Sequence, residues 1–471
     1  MAVERTDVIV VGARCAGSAA AIALARGGCA VVVLDAARFP SDTLSTHLLW
    51  PSGVAELAEL GALERVLAFG APRLRTGSAS GAGFTVSGRF PAVDTIDFAL
   101  CVRRTGLDAA LVATARQTGA EVRERCRVTD LVWDHGRVTG VRYRDDAGAD
   151  RELLAPLVIG ADGRRSTVAR LVGATQPYRA MPSGRACYFA YWRDNKPEWR
   201  SVAAQWRAEA LLGTAFPCDG GLVLSLVQPP DAGGRPGPAE EIYRDSVSRI
   251  PELVDRLSGC DMVGRVRSAT GLSSYFRRSS GPGWALPGDA GHFKDPVTAQ
   301  GMRDAMRYGR LLGESVATRL GDPVLLDAAV LAWERRRERD CLGVYQWTNG
   351  LARGTALRPM EIELYRSAAG DDDLTTDLLG VFSRVVEPSR LLGPARLPGL
   401  AIGAMLRGYG GRGTVAADIA DNARLAVVEG IERVLARKRP LPEIPPHASS
   451  APGAEPSRPA ENVLPQGEAH G

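Results

Sequence analysis

Lysine is almost missing from this 471-residue chain: Lys196, Lys294 and Lys438 are the only three. The basic residues are otherwise arginine, and with so much alanine and glycine this reads as codon bias rather than a phosphate-binding surface. The net charge of +4, with both signs interspersed, gives no case for nucleic acid or an anionic membrane as partner. The eight cysteines, scattered from Cys15 to Cys341, form no Cys-x-x-Cys pair and no metal-ligand spacing. That pattern excludes a disulfide framework, predicts no metal site, and fits reduced thiols in a cytoplasmic protein. Uninterrupted apolar runs of membrane-spanning length are absent too, because Arg14 and Arg26 break the N-terminal one. Glu4, Asp7 and the Gly12-Ala13-Arg14 interruption argue against a signal peptide there.

What is present is an apolar fraction of 45%, ordinary for a globular protein, on a chain long enough for two or three domains. The most informative segment opens it. Val8 to Val11 is a strand candidate, Gly12-Ala13-Arg14-Cys15-Ala16-Gly17 a turn, and an alanine-rich helix follows. Such a strand–turn–helix aims free N–H groups and a positive helix end at a pyrophosphate. Asp35, after the strand Val31–Leu34, stands where an acidic residue would take ribose hydroxyls. Arg14 replaces the second glycine of the G-x-G-x-x-G pattern, which is tolerable if its side chain points outward. By itself this turn leaves NAD, FAD and plain packing open.

Further along, periodicity predicts a helix beginning near Pro51 and a helix over Leu107–Thr118. Strands are expected at Glu121–Val132, Val138–Arg144 and Leu153–Ile159. A separate sheet is expected from Arg185–Arg193, Val202–Arg207, Gly213–Phe216 and Leu222–Val227. Pro229–Pro238 reads as a loop. A long helix should run from Gly301 to about Leu320, and residues 325–435 should be helical with breaks at 387–399 and 408–413. The mixed-charge cluster Glu334–Asp340 reads as a solvated helix face. From 437 to 471 the composition predicts disorder.

Two remote segments complete the pattern: Gly160-Ala161-Asp162-Gly163, continuing to Arg170, and Gly288-Asp289-Ala290-Gly291-His292-Phe293-Lys294-Asp295-Pro296, leading to Gly301. With the glycine turn they select FAD. In order and spacing the three resemble the motifs of the class A flavoprotein monooxygenases, the 4-hydroxybenzoate hydroxylase group, over residues 5–350. Geranylgeranyl reductases and flavin-dependent halogenases share that fold.

The resemblance implies an α/β protein: an FAD-binding Rossmann-like domain (1–73, 97–180 and 268–350) interleaved with a smaller mixed β-sheet substrate domain (74–96 and 181–267), plus C-terminal helices (351–436). It implies a cofactor site of Gly12, Arg14, Ala16, Gly17, Asp35, Asp162, Gly288, Asp289, Pro296 and Gly301. Either Arg103 or Arg104 reaches the flavin, and Asp162 with Arg170 ties the strand to the pyrophosphate crevice. The helix from Gly301 should face the pyrimidine edge of the flavin, where a reduced ring carries negative charge. His47, Lys294 and Pro296 are the candidates for chemistry, with Lys294 expected to pair with Asp295. Tyr188, Tyr191, Trp192, Trp206 and Phe216 are candidates to roof the substrate.

The reaction implied first is an NAD(P)H-dependent monooxygenase, passing oxygen from dioxygen through a flavin C4a-hydroperoxide to an aromatic or polyketide-like small molecule of secondary metabolism. A reductase of prenyl double bonds is the alternative, carried by Phe216-Pro217-Cys218-Asp219-Gly220-Gly221. A flavin-binding protein without redox chemistry is the third. The protein is expected as a monomer or homodimer.

Overall fold

The computed structural model describes residues 4–231, 237–393, 395–438 and 441. Its centre is a six-stranded sheet in the order 280–281, 284–285, 157–160, 8–11, 31–34 and 121–123, parallel except at the first pair. The strands Val8–Val11 and Val31–Leu34 are buried throughout, as all-apolar runs in a covered parallel sheet must be. Helix Cys15–Arg26 lies on this sheet, and helix Gly301–Val316 packs across it. That crossing needs small residues: a Cβ on Gly313 would lie 2.8 Å from the carbonyl oxygen of Ala20.

A second, mostly antiparallel sheet is formed by residues 261–269, 187–193, 222–228, 211–218, 202–208, 76–81 and 84–89 in that order. The short strands 48–49 and 100–101 pair at its side. One face packs on helices Ala239–Ser248 and Pro251–Leu257, the other on the C-terminal helices. Smaller sheets join Pro177–Pro182 to Ser273–Arg277 and His292–Phe293, and Arg127–Asp134 to Arg137–Arg144, Asp150–Leu154 and Glu4–Arg5.

Several expectations change. The strand expected over Glu121–Val132 is two strands in different sheets, Glu121–Arg123 and Arg127–Asp134, because Arg125 takes φ +54° and turns the chain. The helix expected from Leu107 begins at Arg104. The C-terminal helices break additionally between Leu351 and Pro359 and at 369–371. The cluster Glu334–Asp340 is a solvated face only at Arg335, Arg336, Arg339 and Asp340. Glu334, Arg337 and Glu338 are buried: Glu334 accepts from Ser279 N (2.7 Å) and from Ser280 Oγ, Arg337 donates to Leu286 O (2.9 Å), and Glu338 pairs with Arg179. The final helix runs through Lys438, and the remainder of the expected disordered tail, apart from residue 441, lies outside the described residues, as do 232–236 of the expected loop.

Candidate active site

A cleft of about 560 Å³ opens where the two main sheets meet, and all three glycine segments border it. At the first, Gly12 takes φ +97°, and a Cβ there would lie 2.6 Å from Ala161 O. Gly17 sits where any Cβ would collide with the Gly12 carbonyl. The turn is therefore pressed against the second segment and closed by the helix behind it. Arg14, Cys15 and Ala16 line the cleft at the start of helix Cys15–Arg26, whose first N–H groups have no intrahelical acceptor. Gly288 takes φ +62°, with Ala16 Cβ 2.9 Å from where its own Cβ would be, so the third segment closes on the first.

Arg14 is accommodated as an extended residue, φ −81° and ψ −163°, which any side chain can adopt. Its guanidinium leaves the turn for Ser41 Oγ (2.7 Å) and the fully buried Asp108. Arg104 grips the other oxygen of Asp108 through Nε (3.1 Å) and Nη2 (2.9 Å). Two arginines thus share one buried carboxylate, leaving an excess positive charge beside the cleft, and both line it. Of the two rival arginines, Arg103 turns away instead, ion-paired at 2.8 Å with Asp219.

Asp289 lines the cleft, and its carboxylate accepts no hydrogen bond from a described residue. Burial pushes its carboxyl above the ordinary value, against the pull of Arg164, Arg104 and Lys294. An acceptor with no protein donor is the fit expected of a group that takes a ligand hydroxyl. Asp35 and Asp162 are spent differently. Asp35 accepts from Ala13 N and Ala37 N, both at 2.7 Å, and so ties the glycine turn to the end of the next strand. Asp162 borders the cleft but accepts from Ser166 Oγ (2.5 Å) and Thr167 N (2.6 Å), holding the start of helix Thr167–Leu171. Arg170 is exposed at the end of that helix and does not line the cleft.

Pro296, Ala299, Gly301 and Met302 form the opposite wall, with the first free N–H groups of helix Gly301–Val316 behind it. Lys294 reaches the same wall, and its partner is Asp304 on that helix rather than Asp295. His292 Nε2 lies 3.0 Å from the ammonium. Burial opposes ionisation of Asp304, but Lys294, Arg384 and Arg303 hold it well below the ordinary carboxylate range. Burial, then the Lys294 charge, keeps His292 neutral. Asp295 instead caps the turn Pro296–Thr298 through Val297 N (2.8 Å). His292, Asp304 and Cys341 lie close enough to share a cation, but the Lys294 ammonium already bonds two of the three.

His47 stands behind the wall built by Leu44, Ser45 and Thr46, not on it. It is fully buried at φ +59°, its Nε2 is 2.8 Å from Tyr191 Oη, and its Nδ1 has no partner among the described residues. Burial, reinforced by the Arg104 charge, lowers its pKa to about 4. Its ring packs edge-on against Phe189 and Tyr191 at 5.5 and 5.7 Å, so it positions the wall residue Phe189. None of the five aromatic candidates lines the cleft. Alternation decides this for Tyr188, Trp192 and Trp206, which face the helices Ala239–Ser248 and Pro251–Leu257, whereas Tyr191 and Phe216 share the side of Cys187 and Phe189 but lie away from the cleft, Tyr191 bonded to His47. The sheet contributes Cys187, Phe189 and Ala269 to the cleft, joined by Leu272 and faced by Leu44.

A glycine turn, a helix start that opens on the cleft, an acidic acceptor with no partner among the described residues and a second helix end together are the features of a dinucleotide-binding oxidoreductase site. The chain belongs to the FAD binding domain family, which it matches over residues 5–336. It is 34% identical to the menaquinone reductase of Mycolicibacterium smegmatis over 328 residues, 66% of this chain and 76% of that one. It is 26% identical to the digeranylgeranylglycerophospholipid reductase of Methanothrix thermoacetophila over 411 residues, 83% and 95% of the two chains. Its fold is similar to that of a flavoprotein/dehydrogenase from Cytophaga hutchinsonii, with a TM-score of 0.71 at 19% identity, covering 91% and 100%. The protein is an FAD-dependent oxidoreductase.

Proposed function

We propose that this enzyme saturates an isolated carbon–carbon double bond of an apolar, prenyl-type substrate, using FAD recharged by NADPH or NADH. The observation that carries the reading is the division of the cleft. Every charged residue on its surface belongs to the glycine segments, to Arg14 and Arg104, or to the Lys294 wall, whereas the sheet side presents Cys187, Phe189, Ala269 and Leu272 across from Leu44, which stands among the hydroxyl residues Thr43, Ser45 and Thr46. The sheet side holds hydrocarbon by area, at about 25 cal/mol per Å² buried, and itself brings no charge or hydroxyl to the cleft. The reductase relatives, whose names point to isoprenoid lipids, support the same reading.

FAD, when bound, supplies hydride chemistry. The residues named above then have separate tasks. Gly12 to Gly17 and Asp289 would hold the cofactor, with the Arg14–Asp108–Arg104 group supplying positive charge for its phosphates. The start of helix Gly301–Val316 and Lys294 stabilise negative charge at the ring's edge. Phe189, kept in place by His47 and Tyr191, with Leu272 and Leu44, orients the chain and excludes water.

Monooxygenation is the second reading, favoured by Pro296, Ala299 and Met302, whose side chains bring no charge or hydroxyl to their wall of the cleft. Turnover of a prenyl alcohol with NADPH, followed by mass spectrometry, separates the readings. A product gaining two hydrogens, formed without oxygen, supports the reductase. A product gaining one oxygen, formed only in air, overturns it, and no redox product under either condition overturns both.

A further inference from the structure

The last two helices bury one apolar side, at Leu400, Ala404 and Val415, and show a second one outward. Helix Arg412–Lys438 turns its acids toward the protein: Asp418 is buried, pairs with Arg358 at 3.2 Å and accepts from Met360 N, while Glu432 takes Arg179 and Gln346. Its outward side carries Val427, Val428, Ile431, Val434 and Leu435, each more than half exposed. Their spacing is that of one helical stripe, the pattern a helix ordinarily buries. Helix Leu397–Arg407, packed against it, adds Ile402 and Leu406, at 62% and 81% exposure. Exposed apolar surface of this kind marks a partner.

The charges identify which partner. Arg412 and Arg424 are exposed and make no ion pair among the described residues, and Arg424 falls on the same stripe as Val427, Val428 and Ile431. The sequence continues basic, with Arg437, Lys438 and Arg439. Outward chemistry is thus apolar and cationic, with Glu429 and Glu432 partly buried against Arg433, Arg179 and Gln346. A second copy would match the apolar stripe but, presenting the same cationic surface, would bring no counter-charge to Arg412 and Arg424. An anionic lipid surface satisfies both features, and no described helix is long and apolar enough to cross a membrane.

We propose that the helices Leu397–Arg407 and Arg412–Lys438 dock the enzyme on an anionic bilayer, lying in the plane of its interface. The overall charge of +4 conceals this because the surface is local. The inference rests on that surface alone, although a prenyl lipid substrate would give it a purpose.

The test is sedimentation of the FAD-loaded full chain with vesicles of mixed phosphatidylglycerol and phosphatidylcholine, against vesicles of phosphatidylcholine alone. Binding should favour the anionic vesicles by about tenfold or more and weaken with salt. Arg424→Gln should weaken it about fivefold, the contribution of one cation near such a surface. Val427→Glu with Ile431→Glu should abolish it while flavin absorbance and melting temperature stay unchanged, since both side chains are exposed. The proposal is overturned if the parent chain stays in the supernatant, or if the double variant sediments as the parent does. It is equally overturned if light scattering shows the double variant splitting a dimer while neither form binds vesicles. Turnover of a short, water-soluble prenyl alcohol by the same variants reports on the redox reading separately.

Discussion

Replacing Asp289 by alanine has opposite effects on the empty and the loaded protein, and that opposition tests the site. In the structure this carboxylate is partly buried on the cleft wall, accepts no hydrogen bond from a described residue, and is pushed up by burial from the ordinary aspartate value of 3.8. A raised pKa on an acid means that the ionised form costs stability once pH exceeds the unfolded value. The apoprotein should therefore melt at the same or a higher temperature after Asp289→Ala, the gain appearing as pH rises above about 4. With FAD the sign reverses. A hydrogen bond to a charged acceptor contributes about 1.5–3 kcal/mol, so the dissociation constant should rise about 10- to 150-fold. Quenching of flavin fluorescence gives the affinity, and calorimetry at two pH values gives the stability. If Asp289→Ala lowers the melting temperature of the apoprotein and leaves FAD affinity intact, the residue is structural and the assignment fails.

Other expectations follow from the same geometry. His47 is neutral at about pKa 4 in the fold, below its unfolded value, so its contribution is complete above about pH 6.5 and lost as pH falls toward 4. His47→Gln should flatten the acid limb of the stability curve by up to about 3 kcal/mol; an unchanged limb in pH-dependent melting argues against it. Lys294→Met leaves Asp304 buried with only its arginine neighbours and should cost about 3–5 kcal/mol, whereas Lys294→Met with Asp304→Asn should cost less than the two changes summed. Strict additivity in that double-mutant cycle would deny the coupling. Gly17→Ala forces a Cβ into the Gly12 carbonyl and should give a colourless protein, so a yellow variant with normal flavin content contradicts the turn geometry.

The cofactor cradle was legible because its chemistry is backbone chemistry. Gly12, Gly17 and Gly288 announce positive φ or close approach, and no other residue type substitutes for them there. Asp289 was legible by its company. Side-chain partners were not: nothing in the spacing says that Lys294 passes over the adjacent Asp295 to reach Asp304, or that Arg103 leaves for Asp219, 116 residues away. The apolar wall of the cleft was missed because Tyr188 and Trp192 occupy the other phase of the strand that carries Phe189, while Tyr191 and Phe216, on the same side as Phe189, lie beyond the cleft. The run Glu121–Val132 hid a turn because Arg125 adopts a left-handed conformation without a glycine to signal it. The buried charges at 334–338 look like surface by composition, since burial there depends on Ser279, Ser280 and Arg179, far away in the chain.

The central sheet also fixes the order in which this protein can be made. Its strand Trp284–Ala285 pairs with Leu157–Gly160, and the helix Gly301–Val316 covers the alanine face of Cys15–Arg26. During synthesis the N-terminal third emerges with that face bare, waiting on residues translated almost three hundred codons later. Messages truncated before residue 284 should therefore yield sticky fragments that chaperones must hold, never a shorter but colour-bearing domain.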